Sequence, residues 1–249
     1  MANDGLEVAV VGGGIIGVMT ALGLYRRGIK AVIYERAPTW HEVSVGFAFT
    51  GAAREWMQKL DPGILEVLSN ISQKTDASAT NSYWDAYHPR TREDADDESK
   101  ALLFRMPNKL LYWGCVRSQL LLGMAALLPD GAVKFGKRLV SYDDNEKSGK
   151  VVLNFDDDST AEAHVLVGCD GIHSTTRKFM LGADHPASRP SYSHIVAYRT
   201  MVPMDVGVAA LGEKVAKSSC MHCGPDVYIM AYPVRRYQNP NPPLFAAYA

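Results

Sequence analysis

The apolar positions of this chain change period several times, and each change marks an element. Residues 8–11, VAVV, are a short run of strand formers. Ile15, Ile16, Met19, Leu22 and Leu24 then follow helical spacing, with Arg26 and Arg27 in the last turn and Gly28 placed to stop the helix. Residues 31–34 return to strand. The chain therefore opens with strand, glycine turn, helix and strand. Residues 43–51 are small and apolar, and residues 52–60 read as a helix with Arg54 near its start. Asp61-Pro62-Gly63 breaks that helix, and residues 64–71 read as another.

Residues 81–88 have strand or hairpin character, and residues 90–100 are so dense in charge that they read as a solvated loop. The chain is expected to re-enter the core at 101–104 and 110–116. Residues 118–128, SQLLLGMAALL, predict a helix buried on most sides, closed by Pro129-Asp130-Gly131. Residues 134–142, 151–155 and 161–167 read as strands, the last running into a second glycine turn.

The first turn carries Gly12, Gly14 and Gly17 in G-x-G-x-x-G spacing, and each has a physical task. Gly12 permits the tight turn, Gly14 lets a pyrophosphate approach the backbone, and Gly17 lets the helix pack closely on the strand. The helix N-terminus offers N–H groups and partial positive charge to phosphates. Glu35 ends the second strand, about 20 residues past the glycines, where an acid binds ribose hydroxyls. The alternative is a doubly wound turn that happens to carry glycines.

Composition adds bounds rather than chemistry. At 249 residues, with 47% apolar content and a net charge of −1, the chain fits one large domain or two modest ones, without the basic stripe of a nucleic-acid binder. The N-terminus shows no basic-then-apolar leader, and no stretch reaches about 18 apolar residues, so neither a secretory signal nor a membrane span is expected. Four cysteines (Cys115, Cys169, Cys220 and Cys223) suit a reducing, cytoplasmic setting. Cys220-Met221-His222-Cys223 lacks the second ligand pair a zinc site needs, so no metal is expected.

The second turn reads Gly168-Cys169-Asp170-Gly171, followed by Ser174 and Arg177. Glycines around an acid at a strand end make a tight turn that is either functional or a plain strand-to-helix connection. Farther on, alternation over 194–202 puts Ile195, Ala197, Arg199 and Met201 on one face. An arginine on an apolar face needs a buried acid partner or lines a pocket that receives an anion. Tyr232, in DVYIMAYPV, reads from the residues alone as a core tyrosine of a strand.

The two ordered motifs together resemble the FAD-dependent aromatic hydroxylases, single-component flavoprotein monooxygenases. From residue 8 to about Tyr232 the chain is similar to their salicylate-hydroxylase-like branch, which includes fungal members oxidising phenolic polyketides. The resemblance implies an α/β fold, a Rossmann-like FAD-binding domain with an interleaved, incomplete β-sheet substrate domain. Residues 1–182 would form the FAD-binding domain, with 76–110 inserted toward the substrate side. Residues 183–234 would form a partial substrate sheet and 235–249 an irregular tail. The cofactor would be FAD, held by Gly12, Gly14, Gly17, Glu35 (adenosine ribose), Ala48, Arg117 (ribityl-phosphate region), and Asp170 with Gly171. NAD(P)H would be the co-substrate, and the partners a small phenolic molecule and molecular oxygen. Arg199 would hold the substrate phenolate and Tyr232 would hydrogen-bond it.

The chain departs from the family after residue 234. The family's third motif, a Gly-Asp pair, does not occur, and RRYQNPNPPLFAAYA shows neither alternation nor helical period. A truncated product is the expectation, with a non-catalytic remnant as one competing reading and an NAD-dependent dehydrogenase as another.

Overall fold

The computed structural model of the chain describes residues 5–40, 46–74, 83–87, 102–107, 113–145, 148–217, 220–224, 226–234 and 244–248. The first half runs β1 (Glu7–Val11), α1 (Ile15–Tyr25), β2 (Lys30–Tyr34), β3 (Gly46–Phe49), α2 (Gly51–Leu60), α3 (Pro62–Ile71), β4 (Gln73–Lys74), β5 (Tyr83–Tyr87), β6 (Leu102–Pro107), β7 (Trp113–Val116) and α4 (Arg117–Ala125). There follow β8 (Val133–Lys134), β9 (Leu139–Asn145), β10 (Lys150–Phe155), β11 (Thr160–Ala163), β12 (Val165–Gly168) and α5 (Thr175–Leu181). Then come β13 (Arg199–Pro203), α6 (Met204–Leu211), α7 (Glu213–Ala216), β14 (Cys220–Gly224), β15 (Val227–Val234) and β16 (Leu244–Tyr248). The architecture is α/β. The chain divides into two compact units: Met1–Glu42 with Gln58–Ile64 and Leu121–Ser193, and Val43–Met57 with Leu65–Leu120 and His194–Ala249.

In the first unit a parallel sheet has the order β12-β1-β2-β8. Strand β1 is central, with Val8 opposite both Ala31 and Val165. Alternation along it serves two layers. Ala9 and Val11 join Leu139, Leu153, Phe155 and Ala163 of the antiparallel β11-β10-β9 sheet in one core cluster. Val8 and Val10, also buried, belong to the other face. Helix α1 buries Ile15, Val18, Met19, Ala21 and Leu22, while Ile16 is exposed. Gly28, at φ +72°, turns the chain from α1 into β2.

In the second unit a six-stranded sheet has the order β13-β16-β15-β14-β5-β6, and a smaller one the order β3-β7-β4. Only the β14–β5 pairing in the larger sheet is parallel.

Several boundaries differ from the sequence reading, each for a local reason. Residues 134–142 are two strands, because Gly136 at φ +66° breaks the extended chain. Residues 161–167 are also two, β11 in the antiparallel sheet and β12 in the parallel one. His164 lies between them, its backbone N–H donating to the Glu7 carbonyl and its Nδ1 accepting from the Glu7 N–H. The break at 61–63 shrinks to one residue, since the Asp61 carboxylate accepts the Gly63 N–H at 2.8 Å and α3 restarts at Pro62.

Helix α4 buries one face only: Leu120, Leu121 and Met124 are inside, and Leu122 is exposed. Leu103 and Phe104 are exposed rather than returned to the core. Residues 244–248 form β16 where the sequence reads an irregular tail. The charged segment 90–100 and most of 76–110 lie outside the described residues. Among the described residues no helix is long and apolar enough to cross a membrane.

Candidate functional site

The glycine turn joins β1 to α1. Gly12, at φ +103°, donates its N–H to the Tyr34 carbonyl at 2.9 Å, which ties the turn to the end of β2. A Cβ on Gly12 would stand 2.4 Å from the Cys169 carbonyl oxygen, and one on Gly17 would stand 1.9 Å from the Gly12 carbonyl oxygen. No side chain fits at either place. Gly14 is the N-cap residue of α1, and no side chain caps the helix. The first turn of α1 also carries no acid. The result is a backbone cradle at an uncapped helix N-terminus, the arrangement that receives phosphate.

Glu35 closes this cradle from the β2 side. Its Oε2 accepts the Gly13 N–H at 2.6 Å and its Oε1 accepts the Ala37 N–H at 2.8 Å. Its backbone is held by the end of β8 and the residues after it: the Glu35 N–H donates to the Lys134 carbonyl and the Glu35 carbonyl accepts from the Lys137 N–H. The sequence places Glu35 for ribose hydroxyls but does not foretell its bond to Gly13, the unassigned glycine of the motif. Each carboxylate oxygen keeps acceptor capacity beyond these bonds.

Asp170 sits in the second turn. Its Oδ1 accepts from the Ser174 hydroxyl at 2.6 Å, and its Oδ2 accepts from the Thr176 N–H at 3.0 Å and the Thr176 hydroxyl at 3.2 Å. Ser174 in turn caps α5 by accepting the Arg177 N–H at 2.8 Å. Gly168 makes room for this helix, since a Cβ there would lie 2.8 Å from Thr176 Cγ2. The Asp170 carboxylate therefore brackets the start of α5. Gly171, at φ +80°, has open space around it. Arg177 Nη2 donates to the Ile172 carbonyl at 2.6 Å, and its buried Nε has no hydrogen-bond partner among the described residues. The two turns touch directly: the Cys169 N–H donates to Val11, and its carbonyl backs Gly12. Gly12, Gly14, Gly17, Glu35, Asp170 and Gly171 thus all belong to the first unit.

The second unit holds Ala48, Arg117, Arg199 and Tyr232. Ala48 of β3 pairs with Gly114 of β7, and a Cβ on Gly114 would stand 3.2 Å from the Pro233 carbonyl oxygen of β15. The backbones of Ala48 and of the residue after Tyr232 thus converge on one glycine. Tyr232 is buried. Arg117, the first residue of α4, is exposed. Arg199 opens β13 opposite Tyr248, while Tyr232 pairs with Ala246 of the same β16. Since 246 and 248 are two apart on one strand, register positions 199 and 232 share a side of the sheet.

The expected apolar face over 194–202 does not form. His194 has φ +62°, which is not extended backbone, and pairing begins only at Arg199. Ile195, Val196 and Tyr198 are exposed. In β14, Cys220 Sγ lies 3.6 Å from His222 Nε2, and alternation puts Cys223 on the opposite side. Burial pushes the Cys115 thiol in β7 up to about 12.

A family described as FAD binding domain matches residues 5–241. An FAD-dependent monooxygenase of Aspergillus terreus is 51% identical over 240 residues, covering 96% of this chain and 55% of the relative. A salicylate hydroxylase of Sarocladium schorii is 40% identical over 238 residues, covering 92% and 48%. Among solved structures, a salicylate hydroxylase substrate complex superposes with a TM-score of 0.76 at 26% identity, covering 98% of this chain and 56% of that one. The chain spans about half the length of these relatives.

Proposed function

This chain belongs to the FAD binding domain family, and from that premise we propose that it is the FAD-binding part of an NAD(P)H-consuming monooxygenase hydroxylating a phenolic aromatic substrate. The observation that carries the reading is the turn of Gly12, Gly14 and Gly17 at the uncapped start of α1, where a Cβ on Gly12 or Gly17 would clash with neighbouring backbone. That backbone fits the FAD pyrophosphate. FAD, when bound, would supply the redox chemistry by which two electrons from NAD(P)H and one atom of O2 hydroxylate the ring, the other oxygen atom leaving as water.

The chain's own residues bind and orient. N–H groups of the α1 start hold the pyrophosphate, and Glu35 offers its remaining lone pairs to the adenosine ribose. Ala48, small and opposite Gly114, lets the flavin approach β3. Arg117 reaches the ribityl-phosphate region. Asp170 and Gly171 serve the cofactor through the shape of their turn, because the carboxylate is occupied by Ser174 and Thr176. Arg199 pairs with the substrate oxyanion; holding the phenol ionised raises the nucleophilicity of its ring carbons. Tyr232 orients the ring by a hydrogen bond. The names of the relatives support this substrate class, and the free cysteines fit a cytoplasmic setting.

The test is a visible spectrum of the 249-residue chain after FAD incubation and gel filtration. A retained flavin band is expected, followed by phenol-stimulated NADPH oxidation with oxygen uptake that Arg199→Ala abolishes. A colourless protein overturns the cofactor reading. Flavin retained without phenol-dependent turnover overturns the substrate reading.

A further inference from the structure

The second unit contains a cation in an unfavourable place. Arg54 lies in the first turn of α2, where its N–H donates to Thr50 and the neighbouring Ala53 N–H is capped by the Thr50 hydroxyl. The positive end of the helix dipole disfavours a guanidinium there. Burial also penalises the charged form and lowers its pKa. Any long neutral side chain would pack without these costs.

What the charge contacts is specific. Its guanidinium carbon lies 4.5 Å from the centre of the Trp113 ring, and its Nη1 donates to the Phe49 carbonyl at 3.3 Å. Phe49 and Trp113 are a cross-strand pair, the last of the β3–β7 ladder, and the adjacent pair is Ala48 with Gly114. A single side chain thus grips both members of the pair that terminates this ladder. The Phe49 ring is itself held edge-on by Phe47, with centroids 4.9 Å apart. The space beside Gly114 is limited, since a Cβ there would stand 3.2 Å from the Pro233 carbonyl oxygen of β15.

We propose that Arg54 is a positioning residue of the cofactor site, fixing the Ala48 backbone through the Phe49–Trp113 pair. The cofactor half of this inference rests on the reading that Ala48 lies against FAD. The mechanical half does not.

The experiment compares wild type with Arg54→Gln, Arg54→Lys and Trp113→Leu by amide hydrogen exchange over residues 46–49, without FAD, and by flavin titration. Arg54→Gln should speed exchange of the β3 amides that bond to β7 within residues 46–49 by about tenfold, leave β1 and β2 protected, and weaken flavin binding by a similar factor. Arg54→Lys keeps a cation over the ring and should recover part of both. Trp113→Leu should reproduce the exchange pattern, and adding Arg54→Gln to it should change little more. Wild-type exchange at 46–49 in Arg54→Gln overturns the proposal, as does a uniform rise in exchange across the chain. A wild type that binds no flavin sinks the proposed cofactor reading, Ala48 included, while the exchange pattern still decides what Arg54 does to β3. Normal flavin affinity in an Arg54→Gln protein with a loosened β3 would overturn the cofactor half.

Discussion

The Glu35 carboxylate accepts the backbone N–H of Gly13 at 2.6 Å, so the acid that follows β2 shapes the glycine turn between β1 and α1. Glu35→Gln exchanges a charged acceptor for a neutral one and puts an NH2 group where one oxygen stood. Hydrogen bonds to charged groups are worth about 1.5–3 kcal/mol, so flavin affinity should fall between about tenfold and a hundredfold. Faster exchange of the Gly13 amide in the flavin-free protein would assign part of that loss to the turn. An unchanged Gly13 amide would leave only the ribose contact.

Gly17 tolerates no side chain. Gly17→Ala places a methyl carbon 1.9 Å from the Gly12 carbonyl, and α1 has to move away from the turn. Overpacking of this kind costs about 1–3 kcal/mol, and the flavin site should be lost with it. Gly28→Ala is the comparison, because φ is +72° there but nothing lies within 4 Å of the new Cβ. Its cost should stay near 1 kcal/mol with flavin affinity kept. Chemical denaturation and flavin titration of both variants separate the two outcomes.

If Asp170 acts by bracketing α5, its donors matter as much as it does. Ser174→Ala and Thr176→Val each remove one hydroxyl donor to its carboxylate. Both should lower thermal stability and flavin affinity in the direction of Asp170→Asn, Thr176→Val by about 1 kcal/mol and Ser174→Ala by more, because it also removes the cap of α5. Full flavin affinity in both, with a large loss in Asp170→Asn, would instead make the carboxylate a direct ligand.

Asp157 gives an acid limb with a defined sign. The Lys137 ammonium, hydrogen-bonded to the Asp157 carboxylate, and then the Ser159 hydroxyl hold its pKa down at about 2. A carboxyl depressed in the folded state contributes stability that is complete above its unfolded value and lost as pH falls through the folded one. The window therefore runs from about pH 4 down to about 2. Lys137→Met should flatten the fall in melting temperature across that window and reduce the effect of salt on it. An unchanged acid limb in Lys137→Met would show that other carboxylates dominate.

The opening βαβ unit was readable because its signals are local: three spaced glycines, one helical period and one terminal acid within 28 residues, 8–35. Gly28 behaves as its position implied. Where sequence reading went wrong, distant partners or a single dihedral angle decided. Gly136 is a local breaker signal inside 134–142, but nothing local announces that residues 160–163 and 165–168 join different sheets around His164. The strand start at Arg199 depends on β16, a segment with no strand alternation of its own. Asp170 was visible as a motif acid, but its donors lie four and six residues on, and only the geometry shows that they occupy it. Arg54 was visible only as a cation near a helix start. Its interest comes from Trp113, 59 positions away, which the fold sets under its guanidinium.

The contact between the Cys169 carbonyl and Gly12 also sets a timetable for assembly. Strand β1 lies between β2, which is made at once, and β12, which is made more than a hundred residues later. At about 5–20 residues per second, a ribosome leaves one edge of β1 waiting roughly 7 to 30 seconds for its second neighbour. During that interval the glycine turn lacks the Cys169 backbone behind it. The turn is complete only after β12 has been made, and until then the nascent chain exposes the open edge of a buried apolar strand to chaperones and to other copies of itself.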